Sequence, residues 1–169
     1  MKILANDGIS QSGINDLTDA GFEVLTTTVA QEQLENFINT ENIVVLLVRS
    51  ATTVRQNLID ACPGLKVIGR GGVGMDNIDV SYAREKGINV INTPAASSES
   101  VAELVFAHLF SGVRFLYDSN RNMPLEGEKK FKQLKKAYAK GTELRGKTLG
   151  IIGFGRIGQA TAKIALGLG

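Results

Sequence analysis

The sequence has few of the residues that mark secreted, metal-binding or membrane proteins. It contains one cysteine, Cys62, one histidine, His108, and no tryptophan among 169 residues. A single cysteine cannot form an internal disulfide, which favours the reducing cytoplasm. His108 stands alone in a helical pattern and is interpreted as structural, so no metal site is predicted. The apolar runs are too short for a signal peptide or a membrane span, and no membrane partner is predicted.

Net charge is also small, with 19 basic and 17 acidic residues giving a formal value of +2. This excludes a strong electrostatic argument for nucleic acid. Lysines do cluster between residues 129 and 140. Because no aromatic platform accompanies them, we interpret this stretch as a solvated face and predict no nucleic-acid partner. Attraction of an anionic substrate and contact with a second subunit remain alternatives.

Apolar runs and helical patterns alternate through the first part of the chain. Short loops separate them, which predicts an α/β domain with a parallel sheet and helices on both faces, spanning residues 1–96. The run IVVLLV at 43–48 is typical of a strand buried on both faces. The predicted strands are 2–5, 22–26, 43–48, 65–69 and 89–92, and the predicted helices are 12–20 (with Ser12 as a possible N-cap), 30–40, 54–61 and 78–86.

A second domain is predicted over residues 97–169. A helix over 98–117 would bury an apolar face that contains Leu104, Val105, Leu109 and Phe110. Pro124 and Gly127 predict an irregular stretch from residue 120, followed by a short helix over 130–138. Residues 148–152 then read as a strand.

A glycine pattern follows that last strand directly. Gly153, Gly155 and Gly158 form G-x-G-x-x-G between an apolar run and an Ala-rich helical pattern. In a dinucleotide site the first glycine makes the tight turn, the second lets the backbone approach a pyrophosphate, and the third allows close helix packing. The start of the helix would favour the phosphate charge. The alternative is a glycine turn without a ligand.

Two predicted strands of the first domain end in arginine. The third strand runs into Arg49-Ser50, and the fourth into Arg70-Gly71-Gly72-Val73-Gly74. Ligands of open parallel sheets bind at the carboxyl ends of strands, and two arginines there can grip a phosphate or carboxylate. The glycines free the intervening backbone to form an anion nest. Alternatively, the glycines only shape a turn and the arginines are solvated.

Five motifs together carry a family resemblance. VRSAT (48–52), GRGGVGMDNID (69–79), NTP (92–94), SVAEL (100–104) and ELRGKTLGIIGFGRIG (143–158) occur in that order. With them the chain resembles the D-isomer-specific 2-hydroxyacid dehydrogenases. The resemblance implies a flavodoxin-like, substrate-binding domain over 1–96, followed by the first β-α unit of a Rossmann NAD-binding domain with its linking helix and basic arm.

The resemblance also implies roles for individual residues. Arg49, Ser50 and Arg70 would surround the substrate and its phosphate, and the backbone of Gly72, Val73 and Gly74 would hold its carboxylate. Val73 would also edge the nicotinamide. The pyrophosphate would lie on Gly153, Gly155, Arg156, Ile157 and Gly158. The family's catalytic Arg, Glu and His come later in the sequence, so no catalytic residue is predicted here, and the chain is expected to be an inactive portion of its enzyme.

The implied activity is the NAD-dependent oxidation of a phosphorylated hydroxy acid by a homodimer. A second copy, or a further part of the protein, is expected to cover the strand at 148–152. Another D-2-hydroxyacid as substrate, and a non-catalytic NAD-responsive module like the dehydrogenase-related corepressors, stay open as alternatives. NAD and NADP are not distinguished, because the deciding acidic position lies about 20 residues beyond the glycines. Relatives often carry a tryptophan where this chain has its lysines.

Overall fold

A computed structural model describes all residues, Met1–Gly169. The chain divides into two compact units, Met1–Ala96 and Ser97–Gly169.

The first unit is built on a five-stranded sheet. Its strands are β1 (Lys2–Ala5), β2 (Glu23–Leu25), β3 (Ile43–Val48), β4 (Val67–Arg70) and β5 (Asn89–Asn92). All neighbours are parallel and the order is β2-β1-β3-β4-β5, which confirms the predicted α/β class. This is the flavodoxin-like order, in which the direction of strand addition reverses after β2. Since parallel crossovers are right-handed, the reversal places the connecting helices on opposite faces of the sheet.

The connecting helices of this unit are short. They are α1 (Gln11–Asp19), α2 (Leu34–Glu41) after a 3-10 turn at Gln31–Gln33, α3 (Gln56–Ala61) and α4 (Val80–Glu85). The cap of α1 is Ser10, whose hydroxyl accepts the Gly13 N–H, and the prediction of Ser12 was wrong. Helices α3 and α4 begin later than predicted because Val54 and Ile78 pair as an isolated parallel bridge.

The core lies on one face of this sheet. Leu4, Leu46, Ile68 and Val90 form a row across four strands, and each is at most 8% exposed. The opposite face is less covered, since Leu47 is only half-buried and Ile91 is 56% exposed. Strand β3 is therefore not buried evenly on both faces as predicted. Its side chains alternate between the faces, and only one face carries the packed helices α2, α3 and α4.

The second unit contains three helices and no strand. They are α5 (Ser98–Val113), α6 (Leu116–Tyr138) and α7 (Arg156–Leu168). Helix α5 stops before residue 117 because Phe115 adopts a left-handed conformation, with φ of 55°. The predicted apolar face was wrong in part, since Leu109 and Phe110 are half-buried but Leu104 and Val105 are exposed. Small and aromatic positions of α5 are buried (Ser98, Ala102 and Phe106), whereas Leu104 and Val105 are 55% and 40% exposed.

Helix α6 corrects the prediction of an irregular segment after residue 120. It runs through Pro124 and Gly127 and kinks at Lys130, which has non-helical angles and joins two helical segments. The second segment agrees with the short helix predicted over 130–138. A proline removes one helical hydrogen bond, and the charged pair Glu126–Lys130, at 2.9 Å, supports the following turn. None of the helices in the chain is both long enough and apolar enough to cross a membrane.

The predicted strand at 148–152 does not form. These residues have no regular structure, and Leu149 and Ile152 are 42% and 106% exposed. A strand requires a hydrogen-bonded neighbour, and the second unit provides none. The cover expected for this segment, a second copy or a further part of the protein, stays a prediction. Helix α5 packs on α7.

Candidate functional site

The carboxyl ends of β3 and β4 bring the two predicted arginines to one edge of the sheet. Val48 pairs with Arg70, so Arg49 follows the residue directly beside Arg70. Neither guanidinium takes part in a salt bridge. The Nε of Arg70 is buried and has no hydrogen-bond partner. A buried guanidinium donor without an acceptor suits a planar anion such as a carboxylate or phosphate.

The glycine loop after β4 is shaped around Arg70. Gly72 has φ of 155°, and a Cβ at this position would collide with Nη1 of Arg70. The N–H of Gly71 donates to the Val48 carbonyl at 2.9 Å, and that of Gly72 donates to the Arg70 carbonyl at 3.0 Å. The predicted nest therefore has fewer free N–H groups than expected. Of its three N–H groups, that of Gly72 is engaged, and those of Val73 and Gly74 have no acceptor in the chain.

The end of β5 holds this loop from the other side. The Asn92 side chain donates to the Val73 carbonyl at 2.7 Å, and the Thr93 N–H donates to the Gly72 carbonyl at 3.1 Å. Val73 itself is 44% exposed. The loop thus presents Val73 to solvent on a backbone that hydrogen bonds hold at Gly72 and Val73.

Two side chains that the sequence analysis missed hold the loop of Arg49 and Ser50. The Asp7 carboxylate accepts hydrogen bonds from the N–H groups of Arg49 (2.6 Å) and Thr52 (3.1 Å) and from the Thr52 hydroxyl. Asn77 donates to the carbonyls of Arg49 (2.8 Å) and Thr52 (2.6 Å). The sequence could have indicated Asp7, because Asn6-Asp7 directly follows β1 at the same edge of the sheet.

The surroundings of Asp7 favour its ionised form. Burial alone would raise its pKa, but hydrogen bonds from the Thr52 hydroxyl and from the backbone of Arg49, Thr52 and Ala51 outweigh this effect. The pKa of the Asp7 carboxyl is therefore held below its usual value. A carboxylate that accepts several N–H bonds is stabilised in this way, and it occupies the donors of the 49–52 loop.

In the second unit, the glycine pattern forms a turn that leads directly into α7. Gly153 has φ of 90°, a conformation that glycine adopts without strain. A Cβ at Gly158 would collide with the Gly153 carbonyl oxygen, so the third glycine allows α7 to touch the turn. Gly155 caps α7 without a side-chain bond, and a Cβ there would meet nothing within 4 Å. Arg156 and Ile157 follow as the first exposed residues of α7.

Groups that could do other chemistry are sparse. The chain holds no group of three or more His, Cys, Asp or Glu side chains able to bind a metal ion. His108 is exposed on α5. Cys62 is fully buried, and burial, followed by the charge of Glu35, raises the pKa of its thiol to about 11.

Comparison with known proteins identifies the class to which this arrangement belongs. Residues 3–163 match the family described as D-isomer specific 2-hydroxyacid dehydrogenase, catalytic domain. The chain belongs to this family. This confirms the resemblance inferred from the motifs.

Individual relatives agree with the family match. The chain is 44% identical to a D-3-phosphoglycerate dehydrogenase of Methanocaldococcus jannaschii, over 100% of this chain and 31% of that protein. It is 46% identical to a hydroxypyruvate reductase of Thermotoga maritima, over 87% of this chain and 45% of that protein. A structure of NAD-dependent formate dehydrogenase from Staphylococcus aureus in complex with NAD superimposes with a TM-score of 0.74 at 27% identity, over 99% of this chain and 54% of that one. The chain thus spans only 31% and 45% of the length of these two curated relatives.

Proposed function

We propose that the chain forms the substrate-binding domain and the start of the NAD-binding domain of a dehydrogenase that oxidises D-3-phosphoglycerate to 3-phosphohydroxypyruvate. Residues 1–96 bind the hydroxy acid, and residues 97–169 contribute the glycine turn for the dinucleotide. The D-3-phosphoglycerate dehydrogenases among its relatives support this substrate.

One observation carries the choice of a doubly anionic substrate. Arg49 and Arg70 lie at neighbouring strand ends without any carboxylate partner, and Arg70 has a buried Nε with no acceptor. The free N–H groups of Val73 and Gly74 provide donors of the kind that a second anionic group requires. A phosphate and a carboxylate on one small molecule would satisfy both sets of donors, with Ser50 beside them.

The glycine turn fits the pyrophosphate of NAD. Open space beside Gly155 permits close approach of a phosphate, and the first turn of α7 is not capped by a side chain. Gly153, Gly155, Arg156, Ile157 and Gly158 would hold the pyrophosphate. Bound there, NAD would supply the two-electron oxidant that conversion of the C2 hydroxyl to a ketone requires. The residues of this chain bind and orient, and none is assigned the proton transfer.

The substrate assignment is tested by anion binding to the chain. Titration calorimetry with D-3-phosphoglycerate and with D-glycerate would compare the wild type with Arg49→Ala and Arg70→Ala. Loss of a charged hydrogen bond costs about 1.5–3 kcal/mol, so each variant should bind the phosphorylated acid at least about tenfold more weakly. Replacing the arginine that binds the phosphate should weaken the binding of D-glycerate less than that of D-3-phosphoglycerate. Arg55→Ala is the matched control, because Arg55 already pairs with Asp79 at 2.9 Å.

The relative that is a hydroxypyruvate reductase favours a second candidate, an unphosphorylated 2-hydroxy or 2-keto acid. The same titrations separate the two. Equal affinity for D-3-phosphoglycerate and D-glycerate in the wild type, or an equal loss for both in the arginine variants, would replace the first candidate with the second.

The cofactor assignment is tested at Gly158. Gly158→Ala introduces a collision with the Gly153 carbonyl, whereas Gly167→Ala in the same helix meets nothing within 4 Å. We expect titration with NAD to show binding to the wild type and to Gly167→Ala, and loss of binding in Gly158→Ala. Equal NAD affinity for all three proteins would contradict the assignment.

A further inference from the structure

We infer that Asp7 is a positioning residue for anion binding, because its carboxylate holds the Arg49–Ser50 loop in the conformation that presents Arg49. The inference rests on the proposed function, which gives Arg49 and Arg70 an anionic ligand. Asp7 belongs to none of the motifs that carry the family resemblance. It follows β1, whereas the arginines lie at the ends of β3 and β4.

The contacts of Asp7 are with the loop and not with the guanidinium groups. One carboxylate oxygen accepts the N–H groups of Arg49 and Thr52, and the other accepts the Thr52 hydroxyl. Asp7 forms no salt bridge with either arginine. The Asp7 carboxylate therefore binds backbone and hydroxyl donors, and the guanidinium of Arg49 stays available to an anionic ligand.

A buried network fixes Asp7 and its partner in turn. Thr52 and Asn6 are each 3% exposed, and the Asn6 side chain donates to the Thr52 hydroxyl at 2.8 Å. Asn6 also exchanges hydrogen bonds with the backbone of Val29, at 2.8 and 3.1 Å. Because the Thr52 hydroxyl accepts from Asn6, its own proton is directed to Asp7. The loop thus has one defined conformation, which it would lose if the carboxylate were removed.

The direction in which Asp7→Asn changes anion affinity distinguishes a positioning role of Asp7 from simple charge repulsion. Asp7 carries a negative charge close to a site proposed for an anion. If only charge mattered, Asp7→Asn would strengthen anion binding by removing repulsion. If Asp7 positions the loop, the same substitution weakens binding, since an amide cannot accept from all the donors and turns an N–H group toward them.

The experiment measures the affinity of the chain for D-3-phosphoglycerate by NMR titration, in wild type, Asp7→Asn and Asp79→Asn. Asp79 is a matched control: it too accepts a backbone N–H, from Gln56 at 3.0 Å, but at the start of α3. We expect Asp7→Asn to weaken binding by about tenfold or more, in line with the sensitivity of positioned groups to small displacements, and Asp79→Asn to change it little. In an Arg49→Ala background, Asp7→Asn should have no further effect.

Hydrogen exchange of the Arg49 and Thr52 amides, in the absence of ligand, provides the second measurement. Both should exchange faster in Asp7→Asn than in wild type. If Asp7→Asn does not fold, Thr52→Val replaces it, because this change removes the hydroxyl donor and keeps the charge. It should weaken binding in the same direction.

Equal or tighter binding by Asp7→Asn, or by Thr52→Val where it is the variant used, would overturn the inference. So would unchanged exchange at Arg49. If wild type binds the phosphorylated acid and Arg49→Ala does not, while Asp7→Asn binds like wild type, only this inference fails. If wild type does not bind the phosphorylated acid although its Arg49 amide is protected, the proposed function fails and the role of Asp7 in binding fails with it.

Discussion

Single residues hold the proposed anion site at the strand ends in place. The two arginines, the glycine turn and the carboxylate of Asp7 are each held by specific contacts, and few of these contacts are between neighbours in sequence. Changes of one atom or one angle at these positions should therefore act on binding more than on folding.

Gly72 offers a direct test of this view. In Gly72→Ala the new methyl group would collide with Nη1 of Arg70, at a backbone angle that side chains rarely adopt. We expect Arg70 to be displaced and affinity for D-3-phosphoglycerate to fall by about tenfold, the effect of losing one charged hydrogen bond. Gly87→Ala is the control, since Gly87 has φ of 78° but open space around it. Similar affinity losses in both variants would attribute the effect to backbone strain alone.

Cys62 should be chemically silent in the folded chain. Its thiol is fully buried, and burial raises its pKa to about 11. An aromatic disulfide reagent at pH 8 should therefore react with Cys62 only after denaturation. Rapid reaction of the native protein would show that the site opens without unfolding.

The same shift predicts a dependence of stability on pH. In the unfolded chain a thiol has a pKa of about 8.5. Above that pH the unfolded state loses a proton that the native state keeps, so the free energy of unfolding should fall as pH rises, by at most about 1.4 kcal/mol per pH unit from this group. Denaturant titrations between pH 8 and 10.5 should show a smaller decrease in Cys62→Ala than in wild type.

Among the elements, α6 shows how context overrides a local signal. Pro124 and Gly127 are poor helix residues, yet the helix continues through both. Gly127→Ala should stabilise the second unit by about 1 kcal/mol, because alanine loses less backbone entropy in a helix. Its methyl group would make an ordinary contact with Met123 at 3.6 Å.

Circular dichroism and thermal unfolding would measure this change. Ala137→Gly, the reverse substitution in the same helix, is the control and should lower both helicity and the melting temperature. A destabilising effect of Gly127→Ala would mean that this turn of α6 is not helical in solution.

At the scale of the whole molecule, the two units differ in how much apolar surface they bury. The large core cluster lies entirely within Met1–Ala96. The buried apolar residues of Ser97–Gly169 are only Ala102, Phe106 and Ala160. Burial is the main source of stability, so the second unit should be the weaker of the two.

Hydrogen exchange with mass spectrometry would test this difference. Amides of β1, β3 and β4 should exchange slowest, and those of α6 and residues 147–155 fastest. The homodimer that the family resemblance implies adds a second expectation. If exposed side chains such as Ile152, Phe154 and Leu166 are covered in it, protection of the second unit should increase with protein concentration. Protection that is high in the second unit of a dilute monomer would contradict both expectations.

Much of this protein could be predicted from sequence because its signals are local. Strands β1, β3 and β5 were placed with their observed bounds, since alternating apolar runs and helical patterns depend on near neighbours. The glycine turn at 153–158 and the arginines at the ends of β3 and β4 were recognised for the same reason. The α/β class and the family followed from the order of these motifs.

Tertiary structure alone decided the rest. Whether residues 148–152 form a strand depends on a hydrogen-bonding neighbour, which a local pattern cannot provide. Which face of α5 is buried depends on its packing with α7, and Ser98, Ala102 and Phe106 are buried there instead of Leu104 and Val105. Asp7 reaches the Arg49 loop across 42 residues of sequence, through hydrogen bonds that exist only because β1 and β3 pair. Composition and local patterns fix elements and motifs, but contacts between distant residues arise from the packing of the sheet.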